Sequence, residues 1–295
     1  MTDDAGRLTG QAHGTRSLVN RILDQPWLLV TPLLVLLVAV FFLPIAWFFI
    51  QAVAESNLSL VDQIRAVFLS PDIQYVLWNT NVIALIVTLT VLAMAYPIAY
   101  VLTYSKKFVF TLIIICVVVP YFTSVVVRTY SWMVILGRNG ILNQWLLQWG
   151  IIDKPLDLMY NQFSVIIGIS YVLLPYLVLT LFSTMKGIDY NLIRAAQSMG
   201  ASGFYTFWRI FFPLSMPGLI SGCLIVFILA IGFFITPALM GGAEDVMIAM
   251  LIQREIELNL NWPMAAMLSL GLLVVTLVLY AIYYRYTNLE RMLNK

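Results

Sequence analysis

Of 295 residues, 62% are hydrophobic and 10% charged, where ordinary soluble domains carry roughly 25% charged residues, and the mean hydropathy is +0.94. A water-soluble fold with that surplus would expose apolar patches large enough to aggregate, and a disordered chain needs the opposite composition, so soluble enzymes and disordered proteins are both excluded. The net charge of +2 is too small for a nucleic-acid footprint, and the single histidine, His13 in a polar stretch, leaves no His-based metal cluster and no Ser-His-Asp chemistry.

Residues 1–26 are polar and of mixed charge, and the apolar run that follows is too long for the core of a secretory signal, so they are expected to form a soluble tail before an uncleaved first span. A bilayer-crossing helix needs about 20 mostly apolar residues, and a charge at midplane costs roughly 2.5–3.5 kcal/mol on insertion scales. Six stretches free of Asp, Glu, Lys and Arg meet that length, giving predicted spans at 27–53, 75–104, 108–127, 162–184, 214–240 and 264–284 in one transmembrane domain, 27–286, followed by a short tail, 287–295. They are continuous apolar blocks rather than period-2 alternations, which argues for helices and against a barrel. Cys116 and Cys223 both lie inside such blocks, where neither a disulfide framework nor a zinc site is expected. Prolines recur inside the spans, Pro97, Pro120, Pro175 and Pro217 among them; each removes a backbone donor, and the outcome is either packing shape or a bent helix lining a path.

After the third span, residues 141–149 read as a short amphipathic helix at a membrane interface, with Trp132, Trp145 and Trp149 as belt residues at headgroup depth or as part of a docking platform. Arg128, closing the third span on the outer side, is expected to snorkel to headgroups rather than to contact the solute. The loop 241–263, with Glu244, Asp245, Glu255 and Glu257, reads as a solvated acidic loop or a second docking edge. Six spans put both termini on one side; that side holds eleven of the 16 Lys and Arg residues, which places the termini in the cytoplasm.

The most informative segment is the basic-side connection 185–213. Residues 190–199 have helical spacing, with Leu192, Ala195, Ala196 and Met199 on one face. Gly200 suits the left-handed position that ends a helix, Ser202 suits the cap of a second one, and Pro213 is expected to mark the start of the fifth span. The paired alanines predict a notch that another protein's backbone or side chain can approach.

This pattern resembles the EAA loop of permease subunits in binding-protein-dependent ABC importers: Glu-Ala-Ala, three residues, Gly, nine residues, Ile-x-Leu-Pro. The chain matches at Ala195, Ala196, Gly200, Ile210 and Pro213, and departs at Arg194, usually Glu, and Phe212, usually Leu. The segments 137–143 (Gly-Arg-Asn-Gly-Ile-Leu-Asn), 240–243 (Met-Gly-Gly-Ala) and 261–263 (Asn-Trp-Pro) are similar to the spermidine/putrescine permease group, and permeases for opines, phosphonates and ferric ion share parts of them. The resemblance implies an all-α, six-helix type I importer permease in the bacterial inner membrane. It further implies that Arg194, Ala195, Ala196, Gly200, Ala201, Ile210, Phe212 and Pro213 dock a cytoplasmic ATPase subunit. Two such subunits would carry the ATP and magnesium, leaving this chain without a cofactor. A second homologous permease, making a heterodimer, and a periplasmic binding protein meeting Trp145, Trp149, Glu244 and Asp245 complete the implied assembly.

Read from the residues alone, Tyr121, Tyr171 and Tyr176, beside Pro120 and Pro175, are candidates for lining the path, offering aromatic faces to a cationic solute or simply packing helices. None of the predicted spans contains an acidic residue, which disfavours an ion-coupled secondary transporter. No Gly-x4-Gly-Lys-Ser/Thr phosphate loop occurs, so the energy source is expected on another chain. An integral membrane enzyme would need a titratable cluster near the interface, and Arg128, Asp153, Lys154 and Asp157 are scattered.

Overall fold

The computed structural model describes residues 26–54, 62, 65 and 67–293, so the predicted tail 1–26 lies outside the described residues except for Pro26. Every regular element among the described residues is helical. The chain forms two units, 1–59 and 60–295.

The first unit contains α1 (Pro26–Leu37) and α2 (Leu43–Ala54), joined by a π-helical turn at Val38–Phe42. The apolar span within it is Val30–Ile50. The π turn closes with the Leu43 N–H donating to the Val38 carbonyl, one residue before Pro44. A proline lacks the N–H that the carbonyl four residues back requires, and its ring crowds that carbonyl; one widened turn relieves the clash without breaking the helix.

The second unit is built on three long helices: α3 (Pro71–Tyr104), α7 (Gln162–Lys186) and α10 (Phe212–Ile231), each packed on the other two. Their contact stripes follow the helical period. Ala84, Val87, Val91, Ala95 and Ala99 on α3 and Val165, Ile169, Val172, Leu173, Leu177 and Leu181 on α7 are buried. On α10 the stripe is Gly218, Gly222, Val226 and Ala230, one residue every four. A Cβ at Gly218 would run into the Thr184 side chain and one at Gly222 into Leu177, so these glycines let α10 and α7 approach closely. In lipid, where apolar burial between helices gains little, such close backbone contact is what holds them.

Two predicted spans are not straight. The third is broken: α4 (Lys107–Val118) runs into a 3-10 turn, Val119–Phe122, and α5 (Val125–Leu136) leaves it at 108°. Pro120 releases the Cys116 carbonyl, the Thr123 hydroxyl donates to the Pro120 carbonyl (2.7 Å), and Thr123 and Ser124 are extended. A short helix, α6 (Ile141–Gln148), follows as expected. The fifth predicted span starts too late and ends too late. Its helix begins at α9 (Gly203–Thr206), passes through a π turn at Phe207–Phe211 into α10 and stops at Ile231. Pro213 therefore does not open the span. The Phe212 N–H donates to the Phe207 carbonyl, the same widening before a proline as in the first unit. Gly232–Phe234 interrupts the run, and Ile235–Met240 is a separate helix, α11.

The loop expected at 241–263 contains another helix, α12 (Ile248–Glu257). The last helix, α13 (Trp262–Leu293), continues through most of the predicted tail. Five described helices are long and apolar enough to cross a membrane, and the bent α4–α6 run makes up to six.

Candidate functional site

The 185–213 connection is a helical hairpin with α8 (Tyr190–Ser198) as its first arm. Asp189 caps α8 by accepting from the Asn191 N–H (2.9 Å). At the other end Gly200 has φ +86°, the Ala201 N–H donates to the Ala196 carbonyl (3.0 Å), and the Gly200 N–H donates to the Gln197 carbonyl (3.0 Å). This is a complete Schellman stop, which requires a residue at ease with positive φ. Ser202 then caps α9 by accepting from the Tyr205 N–H (3.3 Å).

The face expected on α8 divides. Ala196 turns inward with Ile193, while Leu192 (48% exposed), Ala195 and Met199 (85% exposed) point away from the protein. Beyond the turn lies an open hollow of about 770 Å³ lined by Ala196, Met199, Gly200, Ala201, Tyr205, Arg209 and Ile210 among others. The hollow thus lies between the hairpin's two arms and includes Ala196 but not Ala195, so it is not the notch on the first helix that the paired alanines predicted. Phe212 is half-buried and Pro213 exposed. Arg194 lies over the Tyr190 ring (4.9 Å), so it is held by its own helix.

Beneath α8 lies an aromatic cluster that the sequence reading missed. Tyr96, Tyr100 and Tyr104 on α3 meet Phe207, Phe211 and Phe212 edge-on or tilted at 5.1–6.1 Å, and Tyr104 also meets Tyr190 at 6.1 Å. The Tyr96 hydroxyl hydrogen-bonds the Ser215 hydroxyl (3.0 Å). Aromatic pairs in this geometry contribute about 0.5–1.5 kcal/mol each beyond their buried area. The recurrence of tyrosine every four residues at 96, 100 and 104 was the available signal.

The path candidates are partly brought together. Tyr176 donates to the Tyr121 hydroxyl (3.1 Å) and their rings meet edge-on at 5.6 Å. Tyr171 pairs instead with Trp132 (5.6 Å), and Pro175 is buried within α7. Arg128 does not snorkel: it is 7% exposed, and its Nε has no hydrogen-bond partner among the described residues.

At the opposite end from the hairpin, Trp145 and Trp149 stack at 6.3 Å, and both are exposed. Glu244 is exposed, but Asp245 is buried and accepts from the Gly242 N–H (2.8 Å), so its carboxylate shapes its own loop. That loop is pinned from α3. Asn79 donates to the Glu244 and Val246 carbonyls (3.0 and 3.2 Å), and Thr80 accepts from the Ile248 N–H (2.9 Å). Ser164 donates to the Met240 carbonyl (2.7 Å), and the Thr129 and Thr236 hydroxyls bond at 3.1 Å. No cluster of three or more metal-ligating side chains occurs among the described residues.

Residues 92–289 match the family described as binding-protein-dependent transport system inner membrane component. The spermidine/putrescine transport system permease protein PotB of Haemophilus influenzae is 36% identical over 220 residues, covering 75% of this chain and 77% of that protein. Its Escherichia coli K12 counterpart is 38% identical over 220 residues, covering 75% and 79%. In fold, the chain is similar to a bacterial ABC transporter involved in alginate import (TM-score 0.70, 16% identity, 92% of this chain and 98% of that one). It is also similar to the MetNI methionine transporter (TM-score 0.57, 13% identity, 74% and 98%). The chain therefore belongs to the family of binding-protein-dependent transport system inner membrane components, the membrane-spanning permease subunits of ABC importers.

Proposed function

We propose that this permease subunit moves a polyamine, spermidine or putrescine, from periplasm to cytoplasm. The observation that carries this reading is the 36–38% identity to two spermidine/putrescine permeases across three-quarters of the chain. In this reading the hairpin 185–213 and both termini face the cytoplasm, in line with the excess of basic residues there. A second, homologous permease completes the membrane pair. Two ATPase subunits bind ATP and magnesium and receive the hairpin, with Leu192, Ala195 and Met199 and the hollow beside Gly200 as the contact. The binding protein meets α6 through Trp145 and Trp149, and meets the exposed Glu244 in the loop after α11.

The mechanism is alternating access. Closure of the ATPase pair displaces the hairpin, and α9–α10 carries the displacement into the span. Aromatic faces at Tyr121 and Tyr176 offer a cationic solute cation–π contacts worth about 0.5–2 kcal/mol each. The test is uptake of labelled spermidine and putrescine by proteoliposomes holding the complete complex and its binding protein. Uptake that requires internal ATP and saturates with either polyamine supports the reading; ATP-dependent uptake of another solute, with none of polyamine, ends it. Cysteines beside Ala196 should cross-link to the ATPase subunit, and their failure to do so would remove the hairpin's assigned role.

A further inference from the structure

The break between α4 and α5 collects hydrogen-bond donors: a guanidinium, a phenol hydroxyl and the first amides of α5. Arg128 sits in the first turn of α5, is 93% buried by its 7% exposure, and leaves Nε unbonded. Side chains of a helix lean toward its N-terminus, which here is the break. The guanidinium lies within electrostatic reach of the Tyr176 hydroxyl. Because Tyr176 donates to Tyr121, the Tyr121 hydroxyl hydrogen is left to donate elsewhere, and Tyr121 is 43% exposed immediately before the break. Ser124 makes no side-chain cap, so the first N–H groups of α5, a helix of 12 residues, lack the partner a cap would supply. The only acidic residue inside the described spans is Asp72, at the far start of α3. An uncompensated buried guanidinium is costly, and its planar fork is matched best by an oxyanion.

We propose that this break is an oxyanion site that takes one carboxylate. Arg128 supplies the cation and the fork, Tyr121 a hydroxyl donor, and the start of α5 its amide donors and positive end. The carboxylate comes either from an Asp or Glu side chain of the second permease subunit or from the solute itself; the first source rests on the pairing proposed above.

The experiment compares wild type, Arg128→Gln and Arg128→Lys in the complete reconstituted complex, using putrescine and ornithine, which is putrescine carrying one carboxylate. Arg128→Gln should cut uptake by about tenfold or more while the subunits still copurify. Arg128→Lys should recover only part of it, because an ammonium cannot make the bidentate contact. Equal losses for both probes place the carboxylate on the partner subunit. Neutralising that acid should then reproduce the loss, with no further loss in the double variant. A loss confined to ornithine places the carboxylate on the solute. Uptake of both within about twofold of wild type in Arg128→Gln overturns the site. If the wild-type complex moves neither probe nor spermidine, the polyamine reading fails on its own, and melting of the complex decides the site; if it moves spermidine alone, spermidine replaces putrescine as the probe. An Arg128→Gln complex that melts several degrees lower, and is restored by neutralising the partner acid, upholds it; one that melts like wild type overturns it.

Discussion

The two ends of the molecule are held together by different means. At the hairpin end, the turns are set by neighbours in sequence, an Asp cap at 189, a Schellman stop at 200 and a Ser cap at 202, on a bed of aromatic rings that α3 contributes to. At the opposite end it comes from distant pairs, with Asn79 and Thr80 reaching across 165 to 168 residues to the 244–248 backbone. Caps and stops specified this locally persist when neighbouring helices shift, which suits the docking role proposed for the hairpin. A loop fixed by long-range pins keeps its shape only while the helices that carry the pins stay in place, so it reports their movement.

The comparison can be tested hardest at the helix contact nearest the hairpin. Gly218→Val forces a side chain against Thr184, and overpacking of this kind costs about 1–3 kcal/mol. We expect the largest loss of thermal stability here, measured by melting of the purified protein, with transport abolished. Next is Gly200→Val. A β-branched residue at φ +86° carries strain of about 1–3 kcal/mol, confined to the turn. Membrane insertion and melting should survive while solute-coupled ATP hydrolysis in the complete complex falls by about tenfold or more. Unchanged coupling would mean the turn is dispensable. Thr80→Val leaves the buried Ile248 N–H unpaired, a cost of about 1–3 kcal/mol, and should raise amide exchange in 244–252 without disturbing the hairpin. If exchange also rises at 190–202, the two ends are less independent than described. The smallest effect belongs to Arg194→Ala, which removes one exposed cation–π contact worth about 0.5–1 kcal/mol. Melting should barely move, and cross-linking from cysteines beside Ala196 should persist.

The same contrast governs what could be read in advance. Gly200 and Ser202 were legible because caps and stops are written in adjacent residues; the alanine pair was not, because Ala195 and Ala196 part to different sides of α8. The long helices were legible because their apolar runs are continuous. The bend at Thr123–Ser124 was not, since the run passes through it with no loss of hydrophobicity and only Pro120 hints at a change. The early start of the fifth span was hidden by Pro213, which ordinarily signals a helix beginning; the π turn lets the helix pass. The burial of Arg128 and the inward turn of Asp245 depend on partners far away in the chain, and neither residue type carries that information by itself.

That π turn has a mechanical consequence. Because Gly203–Ile231 is one uninterrupted 29-residue helix, it is a strut about 43 Å long, with one end in the hairpin and the other at the Gly232–Phe234 gap. A strut without a joint cannot absorb a push at its near end by folding up. Compliance is left to the three-residue gap, and the short helix beyond it, hydrogen-bonded to α5 and α7, is where a stroke applied on one side of the membrane would first be felt on the other.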